Sequence, residues 1–327
     1  MANGHIINLT RPAKVCIDTG RLAIKFTDGT PDAFVSLDDV AMLILGDRNI
    51  TITQQLIAEL AQRGGAAIFV NEKYLPVCMA LPYSINKYGA KRPSLQAKYI
   101  STGQPGKWQK QIITAKIRGQ AKTIGRISRQ AENKLLMMSE SVLDEDSSHI
   151  ESIAAHYYWP EYFNALDMPN LIRTKENSTD IINISLNYAY AIIRSAIARS
   201  MAAAGLCLSF GTGHCRMDNP FNLVEDFIEP YRYIADNLIL DMYLNKAIPD
   251  DFSPDIKNSI LAGILKTDIE LEGKMYRLLQ AVDFSVNSFC IALEDTRRKL
   301  VLPNQKQSRG KRPAMENNTI YFNEEMQ

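Results

Sequence analysis

Short runs of alternating apolar and polar residues fill the N-terminal quarter of the chain, which is the pattern of half-buried β-strands. Two such runs within 14–26 flank a Thr19–Gly20 turn and predict a hairpin. Residues 32–46 supply more strand, and a short helix predicted at 51–65 leads into an apolar strand at 66–70. These elements predict a small β-rich domain.

The segment YLPVCMALPYS (74–84) also has the composition of a strand, but it contains two prolines. Proline has no backbone N–H to donate to a neighbouring strand, so it is found at sheet edges or in loops. We therefore expect this segment to close the β-rich domain at an edge.

Beyond residue 90 the apolar positions recur every three or four residues, which predicts helices. Gly205 is a typical stop for the most apolar of them. The predicted helices cover 107–138, 148–166, 180–204, 220–245, 254–267 and 273–300. The predicted fold class is therefore α+β: a small β-rich N-terminal domain (1–86), a basic linker (87–106), a larger all-α domain (107–302) and a flexible basic tail (303–327).

The composition is that of an ordinary soluble globular protein, with 46% hydrophobic and 22% charged residues among 327. The five cysteines are scattered without a C-x-x-C pair, which argues against a zinc ribbon or a disulfide framework, and four of them are expected to be buried. No run approaches the roughly 18 apolar residues of a membrane helix, and the N-terminus lacks the pattern of a secretory signal. We therefore expect a cytoplasmic protein that is not embedded in a membrane.

Positive charge is concentrated in one segment of the chain. Of the 37 Lys and Arg residues, 12 lie between Lys73 and Ala131 with no Asp or Glu among them, so the rest of the chain carries 25 against 36 acids. Residues at helical spacing form a basic row and, on a different face, an apolar stripe. The row is Arg118, Lys122, Arg126 and Arg129, and the stripe is Ile113, Ile117, Ile124 and Ile127.

This basic segment predicts a surface that binds a polyanion, because a row of that length follows several phosphates and nearby aromatic rings can stack on bases. The alternative is a solvated cationic face that pairs with the acidic remainder of the chain. Charge does not decide between DNA and RNA. The residues predicted to contact the nucleic acid are Lys91, Arg92, Lys107, Trp108, Lys110, Arg118, Lys122, Arg126 and Arg129.

A second cluster lies in GTGHCRMDNPFNLVEDFIEPY (211–231). Asn219–Pro220 predicts a helix start, and Asn222, Asp226 and Glu229 then share one side of the helix, with Glu225 rotated away. The buried face is predicted to be Phe221, Val224, Phe227, Ile228 and Tyr231.

Pro230 cannot donate to the carbonyl of Asp226, so we expect a kinked helix that moves Glu229 away from ideal helical geometry. His214 lies in a loop that Gly211 and Gly213 are expected to make flexible, and this loop can fold back over the start of the helix. One imidazole with carboxylates suits magnesium or manganese. The alternative is a solvated acidic face beside an ordinary loop histidine, and spacing alone favours that alternative.

Glu151 also has two interpretations. SHIE (148–151) fits a capping box in which Ser148 caps the helix and Glu151 reaches back to its amide. From the local pattern alone, that structural role is the favoured one.

The segments 151–163 (ESIAAHYYWPEYF), 182–206 and 211–232 closely resemble the three conserved blocks of the CRISPR-associated integrase-endonuclease family, also called CRISPR-associated protein one. Segments 69–83 and 94–122 resemble the same family, and the resemblance covers nearly the whole chain up to about residue 302. The pattern N-x-F-N-L…E-P-[FY]-R is specific, and its E-P form looks most like members from type II systems.

The resemblance implies that Glu151, His214 and Glu229 bind a divalent metal, Mg²⁺ or Mn²⁺, with Asp226 as a nearby catalytic acid and Glu225 at a position that is usually acidic. It implies an N-terminal domain that dimerises, a helical catalytic domain, and a homodimer that forms a heterohexamer with a small ferredoxin-like partner. Its implied reaction is insertion of short DNA as new CRISPR spacers by attack of a 3′-hydroxyl on a phosphodiester, with activity falling at low pH because the histidine ligand must be neutral.

Two other functions fit the same residues. A metal-dependent DNA nuclease would share the ligands but join no strands, and a nucleic-acid-binding scaffold would use the cluster only for structure.

Overall fold

The computed structural model of the protein describes residues 4–71, 76–83, 87–175, 178–248 and 251–305. Eight strands lie in its N-terminal part. They are β1 (His5–Leu9), β2 (Ala13–Asp18), β3 (Arg21–Phe26), β4 (Ala33–Ser36), β5 (Val40–Leu45), β6 (Thr51–Ile52), β7 (Ala66–Val70) and β8 (Pro76–Ala80).

These strands form two four-stranded sheets, in the orders β1-β5-β7-β8 and β4-β3-β2-β6. The predicted hairpin is confirmed, since β2 and β3 pair antiparallel around the turn with Asp18 opposite Arg21. The proline-containing β8 lies at a sheet edge, antiparallel to β7, as predicted. Between the sheets, Val15, Leu22 and Leu43 are fully buried together with side chains of the helix at 54–62.

Helices form the rest of the fold. They are α1 (Gln54–Gln62), α2 (Lys91–Ile100), α3 (Gln104–Ile124), α4 (Arg129–Glu140), α5 (Ile150–Asn164), α6 (Ile181–Ala203), α7 (Asn222–Ile228), α8 (Arg232–Leu244), α9 (Pro254–Lys266) and α10 (Leu278–Glu294). A small hairpin of β9 (Ile269–Leu271) and β10 (Lys274–Tyr276) precedes α10.

The helical core and the β-rich part are packed directly together. Met42, Ile44 and Ile68 belong to β5 and β7, yet they are buried in the same cluster as the helical side chains. Most residues of α6 are buried. Its first turn is capped by Asp180, whose carboxylate accepts the N–H of Asn183 at 2.7 Å. Gly205 follows the last turn of α6 and has a positive φ of 71°, a conformation that ends a helix. The predicted helix stop is therefore confirmed. The predicted fold class, a small β-rich part followed by a mainly helical part, is confirmed.

Several predicted details were wrong. Residues 107–138 are two helices, because the chain leaves helical geometry before Ser128, whose side chain caps α4. α2 occupies the segment predicted as a linker, and the β9–β10 hairpin occupies the start of the helix predicted at 273–300. Ile127 is exposed in the turn between α3 and α4, so only the other three isoleucines of the stripe are buried.

Cysteine burial was also predicted incorrectly, since Cys290 alone of the five is buried. α6 is long and apolar enough by composition to cross a membrane, but 72% of its apolar window is buried inside the protein, as in the core helix of a globular fold. The predicted tail lies outside the described residues from position 306 onward.

Candidate active site

The three residues predicted to bind a metal come from different elements and line one pocket. Glu151 is in the first turn of α5, His214 is in the loop after α6, and Glu229 follows α7. The pocket has a volume of about 110 Å³. Its lining residues are Gln109, Ile112, Ile113, Glu151, Gly213, His214, Asp226 and Glu229.

Glu151 does not cap its helix. The carboxylate of Asp146 accepts the N–H groups of Ile150 and Glu151 at 2.9 and 3.0 Å, so it satisfies the amides that the capping box would have used. The favoured local interpretation of Ser148 as cap and Glu151 as its partner was therefore wrong. The Glu151 side chain is left to face the pocket.

Asp226 organises the histidine loop. Its Oδ2 accepts the backbone N–H groups of Thr212 and Gly213 at 2.5 and 3.1 Å and the Thr212 hydroxyl at 3.1 Å. Its Oδ1 accepts the His214 N–H at 2.9 Å and lies 2.7 Å from the ring atom Nδ1. Because both oxygens are engaged, Asp226 orients His214 and leaves ring atom Nε2 as the one available to a ligand.

The hydrogen bond to Asp226 raises the pKa of the His214 imidazole, against the opposing effect of burial. A metal would have to compete with that proton.

Gly211 and Gly213 serve close packing rather than flexibility. A Cβ on Gly211 would lie 2.1 Å from the His214 carbonyl oxygen, and one on Gly213 would lie 2.5 Å from the side-chain nitrogen of Gln109. Asn222 fastens the same loop by donating to the Arg216 carbonyl at 2.8 Å. The loop is tightly held, which corrects the expectation that its glycines make it flexible.

The helical segment that carries Glu229 is interrupted at Pro230, as the sequence suggested, but by a 3-10 turn in which Glu229 keeps helical backbone angles. α7 ends at Ile228, a 3-10 turn covers Glu229–Tyr231, and α8 begins at Arg232. Glu229 itself keeps helical angles, φ −55° and ψ −46°, so the prediction that it leaves helical geometry was wrong.

The start of α7 differs from the prediction as well. The Asn219 side chain accepts the Phe221 N–H at 3.0 Å in a turn before the helix, which begins only at Asn222. The predicted buried face is confirmed for Val224, Phe227, Ile228 and Tyr231, whereas Phe221 is half-buried.

Lys116 is the site residue that sequence reasoning missed. Its Nζ lies 2.5 Å from Glu151 Oε1 and 2.7 Å from Glu229 Oε2. Those two oxygens are therefore at most about 5 Å apart, where two carboxylates repel by roughly 3 kcal/mol at an effective dielectric constant of about 20. The ammonium removes that repulsion, and nothing in the local sequence separates Lys116 from the other cations of the basic segment.

Burial alone would raise the pKa of Glu229, but Arg232 and Lys116 outweigh it and lower that pKa to about 2. Arg232 Nε lies 3.0 Å from Glu229 Oε1, on the oxygen that Lys116 does not contact. Burial alone would lower the pKa of Lys116, but Glu229 and Glu151 raise it. Glu229 is thus a buried acid that stays ionised.

The donor set fits a hard divalent cation. Glu229 Oε2 is buried, and among the described residues it faces the Lys116 ammonium at 2.7 Å with no neutral donor bonded to it. With a Glu151 oxygen and the free imidazole nitrogen of His214, it offers the oxygen-rich ligands that Mg²⁺ and Mn²⁺ take. Across the described residues, however, no three His, Cys, Asp or Glu side chains are already gathered closely enough to hold an ion. Lys116 stands between two of them.

Glu225, the remaining acid of the cluster, points elsewhere. Its carboxylate accepts from Arg194 Nε at 2.6 Å, which ties α7 to α6.

The basic segment is less uniform than the sequence suggested. Lys107 and Lys122 are exposed, whereas Arg118 is half-buried and burial lowers its pKa. Arg92 is half-buried and donates to the Ala204 carbonyl. Four of the residues predicted to contact DNA pair with acids in this structure: Lys91 with Glu294, Lys110 with Asp144, Arg126 with Asp241 and Arg129 with Glu132.

Trp108 is buried in the core, where its ring meets Tyr99 and Phe289 edge to face. This corrects the prediction that its ring contacts DNA. The basic row is also divided, because α3 ends at Ile124 and Arg126 and Arg129 follow in the turn and in α4.

Comparison with known proteins identifies the same family along most of the chain. Residues 7–269 match the model of the CRISPR-associated protein Cas1 family. A CRISPR-associated endonuclease Cas1 from Neisseria meningitidis serogroup C (strain 8013) is 30% identical over 271 residues, which cover 82% of this chain and 86% of that protein.

Solved structures share the fold at low sequence identity. A casposase bound to integration product superposes with a TM-score of 0.74 at 17% identity, covering 90% of this chain and 91% of that one. A Cas6-RT-Cas1–Cas2 complex gives a TM-score of 0.74 at 16% identity, covering 92% of this chain and 36% of that one.

Proposed function

Because the chain belongs to the Cas1 family of CRISPR-associated endonucleases, we propose that it joins short DNA fragments to CRISPR arrays as new spacers. The reaction is attack of a fragment's 3′-hydroxyl on a phosphodiester at the repeat boundary, and hydrolysis is the same exchange with water as nucleophile. The observation that carries this proposal is the meeting of Glu151, His214 and Glu229 around one pocket whose buried acid stays ionised.

The metal part of the proposal assigns Glu151, His214 Nε2 and Glu229 as the ligands of Mg²⁺ or Mn²⁺. When bound, such an ion supplies charge neutralisation at the phosphate and lowers the pKa of the attacking hydroxyl. Asp226 fixes the imidazole through Nδ1, and Arg232 keeps Glu229 charged through Oε1, the oxygen that Lys116 does not contact. The chain thereby supplies an oriented imidazole and a charged carboxylate to the ligand set.

The partners are proposed from chemistry and similarity together. One of the similar structures is a casposase bound to integration product, and another is a complex that contains Cas2. We accordingly assign to this chain a DNA substrate, a homodimer and a heterohexamer with a small ferredoxin-like partner, acting in the cytoplasm. Two active sites at a fixed separation would serve the two ends of one fragment.

Incubation of the protein and its genomic partner with a fluorescent short duplex and a CRISPR plasmid, in Mn²⁺ or Mg²⁺, tests the function. Labelled plasmid is the expected product. A duplex with 3′-dideoxy ends should give no labelled plasmid, because it lacks the attacking hydroxyl.

His214→Ala should abolish joining while the protein still binds DNA. Glu161→Gln, on the same helix as Glu151 but outside the pocket, is the matched control and should join normally. Shortened DNA without any joined product would make the protein a nuclease only. DNA binding by wild type with neither joined nor shortened DNA would leave the scaffold function, and unchanged joining in His214→Ala would remove His214 from the proposed site.

A further inference from the structure

Lys116 occupies the place between two proposed ligands. Its Nζ contacts Glu151 Oε1 and Glu229 Oε2, and only 13% of its side chain is exposed. It is therefore an internal cation of the site rather than a surface lysine that reaches in.

α3 holds Lys116 in this position. Gln109 and Ile113 line the pocket and precede Lys116 by seven and three residues, so all three lie on one face of the helix. Ala115 and Ile117, on either side of Lys116, are fully buried, so the helix cannot rotate away from the site. Only rotation about side-chain bonds can remove the ammonium.

The ammonium and a divalent ion require the same two oxygens. An ion bound by both carboxylates would lie about 2.1 Å from each oxygen, in the region that Nζ holds at 2.5 and 2.7 Å. We infer that Lys116 is a tethered counter-ion that must leave the Glu151–Glu229 pair before the metal binds, and that this competition sets the metal affinity. The inference rests on the proposed function, since it takes those two acids as ligands.

Arg232 cannot take over this role. Its guanidinium contacts Glu229 Oε1, and no contact of Arg232 with Glu151 is seen among the described residues. Removal of the Lys116 charge therefore leaves the Glu151 oxygen without its ammonium and restores repulsion between the two acids, which a divalent ion relieves. The protein without metal should lose stability while its affinity for metal rises.

Calorimetric titration with Mn²⁺ alone tests the competition in wild type, Lys116→Met and Lys116→Arg. Methionine keeps an unbranched chain of similar length without the charge, so Lys116→Met should bind Mn²⁺ on the order of tenfold more tightly. Its melting temperature without metal should be lower than that of wild type, and Mn²⁺ should raise it by more. Lys116→Arg keeps the charge and should bind no more tightly than wild type.

Glu229→Gln separates failure of the inference from failure of the proposed site. Equal Mn²⁺ affinity in wild type and Lys116→Met, with binding lost in Glu229→Gln, overturns the counter-ion role and keeps the metal site. Unchanged binding in Glu229→Gln, or no binding in any variant, overturns the metal site itself and the inference with it.

A second measurement does not use Lys116→Met and decides the matter if that variant does not fold. The side-chain nitrogen signal of Lys116 in ¹⁵N-lysine-labelled protein, assigned by its loss in Lys116→Arg, should shift as Mg²⁺ is added. Mg²⁺ binding that leaves this signal in place contradicts displacement of the ammonium.

Discussion

Glu229 and Asp236 are buried acids on successive parts of one bent helix, but their surroundings differ in kind. Glu229 contacts the charged groups of Lys116 and Arg232. Asp236 accepts hydrogen bonds from the Tyr158 hydroxyl at 2.8 Å and from the Tyr190 hydroxyl. The pKa of Glu229 is lowered to about 2, whereas burial raises the pKa of Asp236 to about 6.

The difference shows what keeps a buried carboxylate charged. Hydroxyl donors offset only part of the cost of burial at Asp236, while formal cations exceed that cost at Glu229. The first environment suits an acid that ties helices together, since Tyr162 also donates to the Asp236 carbonyl oxygen at 2.9 Å. The second suits an acid that must offer a charged oxygen to a ligand.

The largest expected effect is on catalysis, in Glu229→Gln. Loss of the charged oxygen should lower the rate of DNA joining on the order of 10³-fold, because a metal ligand and its charge are both removed. DNA affinity measured by fluorescence anisotropy should stay close to that of wild type. Joining within tenfold of wild type would remove Glu229 from the proposed ligand set, and Glu161→Gln again serves as control.

The raised pKa of Asp236 predicts that the stability of the protein depends on pH. Its folded-state pKa of about 6 exceeds the ordinary value of 3.8, so the folded protein binds the proton more tightly than the unfolded chain. The free energy of unfolding should therefore fall as pH rises from about 4 to about 6, by up to about 3 kcal/mol, and this contribution should stay constant above that range.

Urea unfolding at a series of pH values measures this effect. Asp236→Asn should lack this part of the decrease, whereas Asp241→Asn, at a half-exposed position of the same helix, should retain it. An identical pH profile for wild type and Asp236→Asn would show that the tyrosine hydroxyls keep Asp236 charged after all.

The next effect concerns Asp226, which is held mainly by three backbone amides, with the Thr212 hydroxyl and the His214 ring beside them. Asp226→Asn puts an N–H against donors of the histidine loop, so His214 should lose its orientation and Mn²⁺ affinity should fall roughly 10- to 100-fold. Calorimetric titration measures the loss. Thr212→Val removes one hydrogen bond to the same carboxylate and should change the affinity much less; an equal loss in both would show that the loop, not the imidazole, responds.

The smallest effect is expected where charge is exposed. Lys107→Gln with Lys122→Gln should weaken DNA binding severalfold and reduce the slope of log affinity against log salt by about two. Arg126→Gln should reduce the DNA affinity and the salt slope by less, because Arg126 already pairs with Asp241. A larger loss in Arg126→Gln would mean that DNA displaces Asp241.

Local sequence signals predicted much of the fold. The turn at Thr19–Gly20, the edge position of the proline-containing strand and the stop at Gly205 each depend on the backbone limits of one or two residues. The helix α2 and the hairpin before α10 were missed because their short segments lack strong periodicity and are fixed by packing against neighbours. The capping of α5 was misassigned because two nearby side chains, Ser148 and Asp146, compete for the same amides.

The sequence by itself determined a β-rich part followed by helices, and through family resemblance it predicted that Glu151, His214 and Glu229 form a metal site. Only the tertiary structure decided that Lys116 leaves the basic segment to enter the acidic pocket, that Trp108 belongs to the core and that Asp226 orients His214. Periodicity fixes which residues share a face of a helix, but it does not fix which face of another helix they meet. Electrostatic interactions depend on distance and burial, so the role of each charge was settled only when distant segments packed together.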